Sequence, residues 1–323
     1  MNTPPATQHT TPKKTEIFFA PLQGFTETPY REAHHTLVGG VARYGMPFLR
    51  LEHNEPRRHD IRELQATTAA THHAVPQVIA ANANEFRTLA LLIAQNELTH
   101  IEFNLGCPFP MQTRHGRGTA MMQHPDTLVD IINEMQRLHD EQHLTFSIKM
   151  RLGHTSSNEW EPLMTLLNSA PIDYLVMHPR IGTQQYDGNV DLEQFQRFYL
   201  ACQQPLVYNG DINTIGDINR IANTFPKLRA IMIGRGLLAR PTLAQEYNTD
   251  KLATDDEVRR TFVDIHRQVV YHYANTLEGG EQQVLKKVLP HFDYATTLFD
   301  HKAIKRLKKA RTLANYLSAL QQM

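Results

Sequence analysis

The sequence predicts an α/β fold in which a (β/α)8 or TIM barrel is followed by a C-terminal all-α helical domain. Short apolar runs recur from Glu16 onward, and each is followed by a stretch with helical periodicity, which is typical of repeated βα units. Eight such units fit between residue 17 and about residue 241, and right-handed crossovers close eight parallel strands into a barrel. Beyond Gln245 the strand-like runs stop, and helical periodicity continues to the last residue.

The predicted strands are apolar runs that end in polar or glycine-containing residues. In chain order they cover residues 17–21, 46–52, 76–80, 100–104, 146–150, 173–178, 205–210 and 230–234. Helix start signals lie between them: Thr28 with Pro29 offers an N-cap and a first-turn proline, and Pro125 opens a periodic run. Capping boxes are predicted at 214–217 and at 254–257, and the helical tail is predicted to break at 278–280 and near residue 290.

Composition and charge divide the chain into three predicted parts: a disordered polar extension (1–15), a barrel catalytic domain (16–245) and a helical domain (246–323). The 323 residues are 41% hydrophobic and 20% charged, and no apolar run approaches the roughly 20 residues of a membrane span. Lys plus Arg and Asp plus Glu both number 33, which excludes a globally basic nucleic-acid binder but not a local basic patch. Two cysteines and the absence of a secretory signal favour a cytoplasmic location.

Polar residues finish most of the predicted strands. In a barrel of this kind the active site lies at the C-terminal ends of the strands, so these residues are expected to meet at one rim. They are Gln77, Asn104, Cys107, Lys149, Arg151, His178, Arg180, Asn209, Gly210, Asp211, Gly234 and Arg235.

The glycines after the last two strands indicate a phosphate site. They expose backbone N–H groups beside a helix start, and Arg235 adds a cation, although an ordinary glycine-rich turn would have the same residues. Lys149 and His178 lie at neighbouring strand ends, where Lys149 could also be a structural ion-paired residue. A flavin mononucleotide would use these features together, with its phosphate on the last two loops and Lys149 near the ring edge that becomes anionic on reduction.

Cys107 lies just past a strand end, on a loop that faces the predicted pocket. A thiol with a pKa of about 8.5 is mostly protonated at neutral pH, which suits a proton donor as well as a nucleophile. Cys202 is expected to be an inert core residue. The 18 histidines show no HExxH spacing, the chain has no CxxC, and no metal site is expected.

Six motifs at these strand ends resemble the tRNA-dihydrouridine synthase family of flavoenzymes. They are Ala20-Pro21-Leu22-Gln23-Gly24, Asn104-Leu105-Gly106-Cys107-Pro108, Lys149-Met150-Arg151-Leu152-Gly153, His178-Pro179-Arg180, Asn209-Gly210-Asp211 and Met232-Ile233-Gly234-Arg235-Gly236. The resemblance implies a barrel that holds FMN, NADPH as the reductant, and a helical bundle that grips tRNA. The implied reaction reduces a uridine in the D-arm to 5,6-dihydrouridine.

The resemblance also implies roles for single residues. It makes Cys107 the acid, Asn104 a uracil or flavin contact and Arg180 a substrate contact. Pro179 departs from the family, which usually has glycine there, so the backbone path beside the flavin is open to question. The implied FMN contacts are Ala20, Pro21, Gln77, Lys149, His178, Asn209, Gly210, Asp211, Gly234 and Arg235.

The tail supplies the predicted RNA surface. At helical spacing Lys302, Lys305, Arg306 and Lys309 share one face, and the rest of the chain carries the surplus of acid, which favours a polyanionic partner. A solvated basic helix is the alternative. No membrane and no protein partner is implied.

Two other functions stay open at this point. An FMN barrel oxidoreductase acting on a small molecule would share the site, although the basic tail argues against it. A tRNA-binding protein without catalysis would share the tail, although Cys107, Lys149 and His178 argue against it. In the favoured reaction, reduced flavin would supply hydride to C6 of uracil and Cys107 would supply a proton to C5.

Overall fold

The computed structural model describes residues 14–67 and 73–323, and parallel strands form its centre. The strands are β1 (Glu16–Phe19), β2 (Arg43–Gly45), β3 (Leu51–Glu52), β4 (Glu55–Pro56), β5 (Ala74–Val75), β6 (Gln77–Val78), β7 (His100–Leu105), β8 (Thr145–Gly153), β9 (Tyr174–Ile181), β10 (Leu206–Asn209) and β11 (Ala230–Ile233).

The main sheet closes on itself at Pro76. Its strand order is β5-β2-β1-β11-β10-β9-β8-β7-β6, and every pairing is parallel. The two end strands, β5 and β6, lie on either side of Pro76 and are halves of one barrel strand, so the described chain forms an eight-stranded barrel. Proline has no N–H to donate to a ladder, but its carbonyl accepts a hydrogen bond from the Glu102 amide at 2.9 Å. The predicted (β/α)8 fold is confirmed.

Two strand predictions were wrong in detail. The second barrel strand begins at β2, three residues before the predicted 46–52, and Met46 and Leu49 still hydrogen-bond to the next strand. Leu51 and Glu52 leave the barrel, because they pair antiparallel with β4 around His53 and Asn54, which both have positive φ. A Cβ at Gly45 would lie 2.5 Å from Cδ of Pro21, so this strand needs glycine and lacks an apolar signature. The predicted third strand, 76–80, begins earlier and is divided by its proline.

Helices surround the barrel and form the C-terminal part of the chain. They are α1 (Thr28–Leu37), α2 (Arg58–Ala66), α3 (Ala83–Gln95), α4 (Pro110–Thr113), α5 (Pro125–Gln142), α6 (Met164–Ser169), α7 (Leu192–Ala201), α8 (Ile215–Thr224), α9 (Arg235–Ala239), α10 (Leu243–Thr249), α11 (Asp255–Thr276), α12 (Gly280–Val288), α13 (His301–Lys308) and α14 (Leu313–Leu320). Both predicted capping boxes are confirmed, at Thr214 and at Thr254. The N-cap of α1 is Glu27 rather than Thr28.

The barrel interior is apolar on one side and polar on the other. Among the described residues, Phe18, Tyr174 and Met232 belong to a small apolar cluster inside the barrel, and a larger cluster fills the space between sheet and helices. On the polar side, Glu102 and Ser147 are also fully buried and are neighbours in the register of β7 and β8. The polar side leads toward the C-terminal rim.

The C-terminal helices pack against the first barrel helix and the loop after β1. The Phe25 ring contacts His291 and Tyr294, both on the segment that follows α12. The predicted breaks in the tail are confirmed, because α11 ends at residue 276 and α12 ends at residue 288. The predicted boundary after Gln245 falls inside α10, which contacts α8 and α9 of the barrel, and the division into two domains stays a prediction.

The predicted disordered extension falls largely outside the described residues, which begin at Lys14. The Lys14 ammonium forms an ion pair with the Asp250 carboxylate at 2.6 Å, so residue 14 contacts the folded part of the chain. No helix within the described part of the chain is long and apolar enough to cross a membrane.

Candidate active site

A narrow cleft of about 60 Å³ opens at the C-terminal ends of β1 and β8–β11. Of the residues predicted to bind a cofactor, all but Gln77 line it. The lining residues are Ala20, Pro21, Leu22, Lys149, His178, Arg180, Tyr186, Asn209, Gly210, Asp211, Ile212, Asn213, Met232, Ile233, Gly234, Arg235 and Gly236.

Asp211 neutralises part of the positive charge at this cleft. Arg180 donates to both of its carboxylate oxygens, at 2.9 and 2.6 Å, and Arg235 donates to one at 3.3 Å. The Arg180 side chain is 2% exposed and also donates to the carbonyl of Gly188. Arg180 is therefore committed to Asp211, and its contact with a substrate stays a prediction. Arg235 is 40% exposed, so much of its guanidinium remains free to face an anion.

His178 is neutral, and its proton position is fixed. Burial lowers its pKa well below 6.5, and the cations Arg151 and Lys149 lower it further. Arginine can only donate, so the 3.1 Å contact between Nη1 of Arg180 and Nε2 of His178 makes Nε2 the acceptor. The imidazole proton then lies on Nδ1, which makes that nitrogen a donor.

Lys149 supplies a cation without a hydrogen-bond partner among residues 14–67 and 73–323. Its side chain is half-buried, and burial lowers its pKa to about 8, with Glu102 opposing the change. The ammonium form still predominates at neutral pH. Because Lys149 pairs with Asn104 in the register of β7 and β8, this cation lies between the cleft and the loop after β7.

Glycines let the last two loops approach the cleft closely. Gly210 has φ +153°, and a Cβ there would lie 2.8 Å from Val190. A Cβ at Gly236 would lie 2.0 Å from the carbonyl oxygen of Ile212, which no side chain could tolerate. Both loops therefore need glycine at these positions for close packing, and the phosphate site stays a prediction.

The Cys107 loop is held by hydrogen bonds at both backbone ends. Oδ1 of Asn104 accepts from the amides of Gly106 and Cys107 at 3.0 and 2.8 Å, and the Thr119 amide donates to the Cys107 carbonyl at 3.1 Å. Nδ2 of Asn104 donates to Oε1 of Gln77 at 2.7 Å, so both predicted contacts belong to this support. Neither they nor Cys107 line the cleft itself; the loop borders it through the neighbouring strand.

The Cys107 thiol is protonated at neutral pH. Burial raises its pKa above 9.0, although the Phe109 amide and the nearby cations Arg151 and Lys149 oppose the change. A thiol in this state can donate a proton but is a weak nucleophile. Cys202 is half-buried beyond the end of α7, as expected of an inert residue.

The predicted basic residues of the tail are exposed and lie opposite a buried face. Helix α13 buries Ile304 and Leu307, and the cations project from its other side. They are Lys302, Lys305, Arg306 and Lys309, of which Lys309 is the residue that caps the helix.

Two residues of the site, Tyr186 and Glu102, were missed as functional candidates. The Tyr186 ring lies under the guanidinium groups of Arg151 and Arg235, at 5.2 and 4.9 Å. Glu102 alternates with Asn104 on β7. Period-two spacing in a strand puts such a pair on the same face, and this signal could have identified Glu102.

Comparisons with known proteins identify the family of this chain. The family model described as dihydrouridine synthase matches residues 18–323. The tRNA-dihydrouridine(16) synthase of Neisseria meningitidis serogroup A is 25% identical, covering 97% of both chains. A probable tRNA-dihydrouridine synthase of Helicobacter pylori is 26% identical, covering 70% of this chain and 67% of that one.

Solved structures share the fold at low identity. Morphinone reductase has a TM-score of 0.51 at 10% identity, covering 77% of this chain and 88% of that one. The old yellow enzyme of Trypanosoma cruzi has a TM-score of 0.51 at 11% identity, covering 74% and 89%. The family match spans the barrel and the tail together, so the chain belongs to the dihydrouridine synthase family and is a flavin-dependent oxidoreductase.

Proposed function

We propose that this enzyme uses FMN and NADPH to reduce a uridine in the D-arm of tRNA to 5,6-dihydrouridine in the cytoplasm. The observation that carries the proposal is the protonated Cys107 thiol, held on a rigid loop beside a cleft lined with cations and donors. The names of the relatives support tRNA as the substrate.

The chemistry of the cleft fits FMN. Arg235 and the last two loops suit a phosphate, since they combine a half-exposed guanidinium with backbone that carries no side chain at Gly210, Gly234 and Gly236. Lys149 and Nδ1 of His178 are donors that suit the carbonyl and nitrogen edge of the flavin ring. An ammonium at that edge would stabilise the negative charge that reduction places there.

Cys107 would complete the reduction as the acid. Reduced flavin, when bound, supplies a hydride for C6 of the uracil. The C5 carbon, which gains the electron pair of the former double bond, takes the thiol proton of Cys107, and the thiolate regains a proton from solvent. The raised pKa keeps the thiol neutral and protonated until the uracil base is bound. The neighbouring cations Lys149 and Arg151 would stabilise the thiolate that forms.

The tail would orient the tRNA. The cations of α13 lie on the same part of the molecule as the segment that contacts the loop after β1, because Lys308 is paired with Asp293 beside Tyr294. We propose position 16 as the target uridine, a position named for the Neisseria relative that covers nearly all of this chain.

Replacing Cys107 by Ala tests the catalytic assignment. The variant should keep bound flavin and NADPH oxidation, while dihydrouridine formation falls by about 10²–10⁴-fold, the usual contribution of a general acid. Cys202→Ala removes the other thiol and should retain full turnover. Mass spectrometry of the tRNA and mapping of dihydrouridine at position 16 give the readout. Full turnover of Cys107→Ala would remove its role.

The same preparation separates the alternative functions. A colourless protein that binds tRNA without modifying it would indicate a non-catalytic binding protein. A yellow protein that oxidises NADPH and never reduces tRNA would indicate an oxidoreductase for small molecules.

A further inference from the structure

Glu102 is a buried carboxyl group that the proposed reaction does not use. It lies in the middle of β7 with 1% of its surface exposed, and Oε2 has no hydrogen-bond partner in the described part of the molecule. Isolating a carboxyl from water is costly unless partners compensate, and burial raises its pKa to about 7. Such a group needs an explanation.

A chain of hydrogen bonds connects this carboxyl to the Cys107 loop. Nε2 of Gln77 donates to Oε1 of Glu102 at 2.6 Å, and Oε1 of Gln77 accepts from Nδ2 of Asn104 at 2.7 Å. Oδ1 of Asn104 in turn accepts from the amides of Gly106 and Cys107. The hydrogen bonds therefore lead from Glu102 on β7 to Gln77 on β6, return to β7 at Asn104 and end at the Cys107 loop.

The direction of every bond in this chain follows from Glu102. An amide side chain has one accepting and one donating end, and either end can point either way until a partner fixes it. When Glu102 is ionised, the form that the charge of Lys149 and the hydrogen bond from Gln77 favour, its oxygens only accept. It then turns the Gln77 nitrogen toward itself and the Gln77 oxygen toward Asn104. Asn104 must then present its oxygen to the loop, which is the orientation that the two loop amides require.

We propose that Glu102 is a positioning residue for the proposed reaction, which orients Gln77 and Asn104 and thereby holds the Cys107 loop in place. The proposal rests on the function assigned above to Cys107. A competing role is that of a counter-charge for Lys149, whose ammonium it influences. The variant Glu102→Gln separates the two roles. Its side-chain oxygen can still accept a hydrogen bond from Gln77, but the side chain carries no charge to balance Lys149.

Alkylation of Cys107 tests the positioning without depending on catalysis. The full-length protein, with and without flavin, is treated with iodoacetamide, and peptide mass spectrometry separates Cys107 from Cys202. Glu102→Met should raise the Cys107 rate about tenfold, since losing one net hydrogen bond makes local opening that much more frequent. Gln77→Met interrupts the same chain, should behave likewise, and carries the test if Glu102→Met does not fold. Glu102→Gln should stay within about twofold of wild type.

The matched control is Ser147→Ala. Ser147 is equally buried, is the register neighbour of Glu102 on β8 and has no part in the chain, so its removal should leave the rate unchanged. If both Met variants match Ser147→Ala, the proposal is overturned. It is also overturned if Glu102→Gln opens the loop as much as Glu102→Met, because charge rather than orientation would then be the cause.

A double-mutant cycle on turnover gives the second readout. Glu102→Met and Asn104→Ala should each lower turnover at saturating tRNA by about 100-fold, the effect of displacing a reacting group by roughly 1 Å. Residues in one chain are not additive, so the double variant should be little worse than either single variant. A loss equal to the product, about 10⁴-fold, would contradict the proposal. A wild-type protein that forms no dihydrouridine would reject the function while the alkylation result stands.

Discussion

Replacing Glu27 by Gln should loosen the attachment of the C-terminal helices to the barrel. Glu27 precedes α1, its side chain is 3% exposed, and it accepts hydrogen bonds from three elements. Tyr273 of α11 donates at 2.5 Å, His59 of α2 lies at 3.3 Å, and Lys287 of α12 forms an ion pair with the same carboxylate. One carboxylate thus connects the first loop of the barrel to both long helices of the tail.

The magnitude follows from the pKa of this carboxyl. Burial opposes its ionisation, but the hydrogen bond from His59 and the charge of Lys287 outweigh burial and lower the pKa from 4.5 to about 2. That difference corresponds to roughly 3 kcal/mol of stability at neutral pH. At about 0.7 kcal/mol per kelvin for a chain of this length, the substitution should lower Tm by about 4 °C.

Calorimetry of the flavin-loaded enzyme at pH 7 measures this change. Asp293→Asn breaks the exposed pair with Lys308, worth at most about 1 kcal/mol, and should lower Tm by about 1 °C. Because the folded pKa of Glu27 lies below its unfolded value, its stabilisation is complete above pH 4.5 and is lost as the pH falls toward 2. The gap between wild type and Glu27→Gln should therefore narrow below pH 4.5. Equal Tm values for Glu27→Gln and Asp293→Asn would refute the reasoning.

Three further predictions concern acid stability, the catalytic loop and the tail. Burial lowers the pKa of His291 from 6.5 to about 4, so the stability that its neutral form contributes is lost as the pH falls between these values. Tm should therefore decline less steeply with falling pH in His291→Phe than in the wild type over that range. Equal slopes of Tm against pH would contradict this. Gly118→Ala should lower turnover by about 100-fold with flavin retained, because Gly118 has φ +61° and a Cβ there would lie 2.4 Å from the Cys107 carbonyl oxygen. The control Gly216→Ala, whose Cβ would meet nothing closer than 3.5 Å, should leave turnover unchanged. Lys305→Glu with Lys309→Glu should weaken tRNA binding and reduce its salt slope by about 2, whereas Lys227→Glu, on the loop before β11 at the opposite rim, should leave both unchanged.

The later strands of the barrel could be predicted because each one is a continuous apolar segment in the sequence. Residues 173–178, 205–210 and 230–234 are apolar runs that end in His178, Gly210 and Gly234. Burial of both faces makes a parallel strand a continuous hydrophobic stretch in the sequence. The second strand could not be predicted this way. Its three residues include Arg43, which stacks on Phe18 and Tyr174, and Gly45, which is required by Pro21.

The residues that line the cleft could be predicted from the sequence, but the hydrogen bonds and ion pairs between them could not. Strand-end position alone brings Lys149, His178 and Arg235 to one rim. That Asp211 holds Arg180 rather than a ligand depends on side-chain conformation and on the left-handed backbone of Asp211, at φ +46°. No pattern in the sequence specifies these.

The break between β5 and β6 at Pro76 lies beside the hydrogen bonds that hold the Cys107 loop. β5 and β6 are two residues each, and Pro76 between them donates no ladder hydrogen bond, so local opening of the barrel should begin at this break. Gln77 immediately follows the break and carries the link to Asn104. Local opening at Pro76 should therefore release the hydrogen bonds that hold the Cys107 loop, so closure of the barrel and positioning of this thiol are coupled.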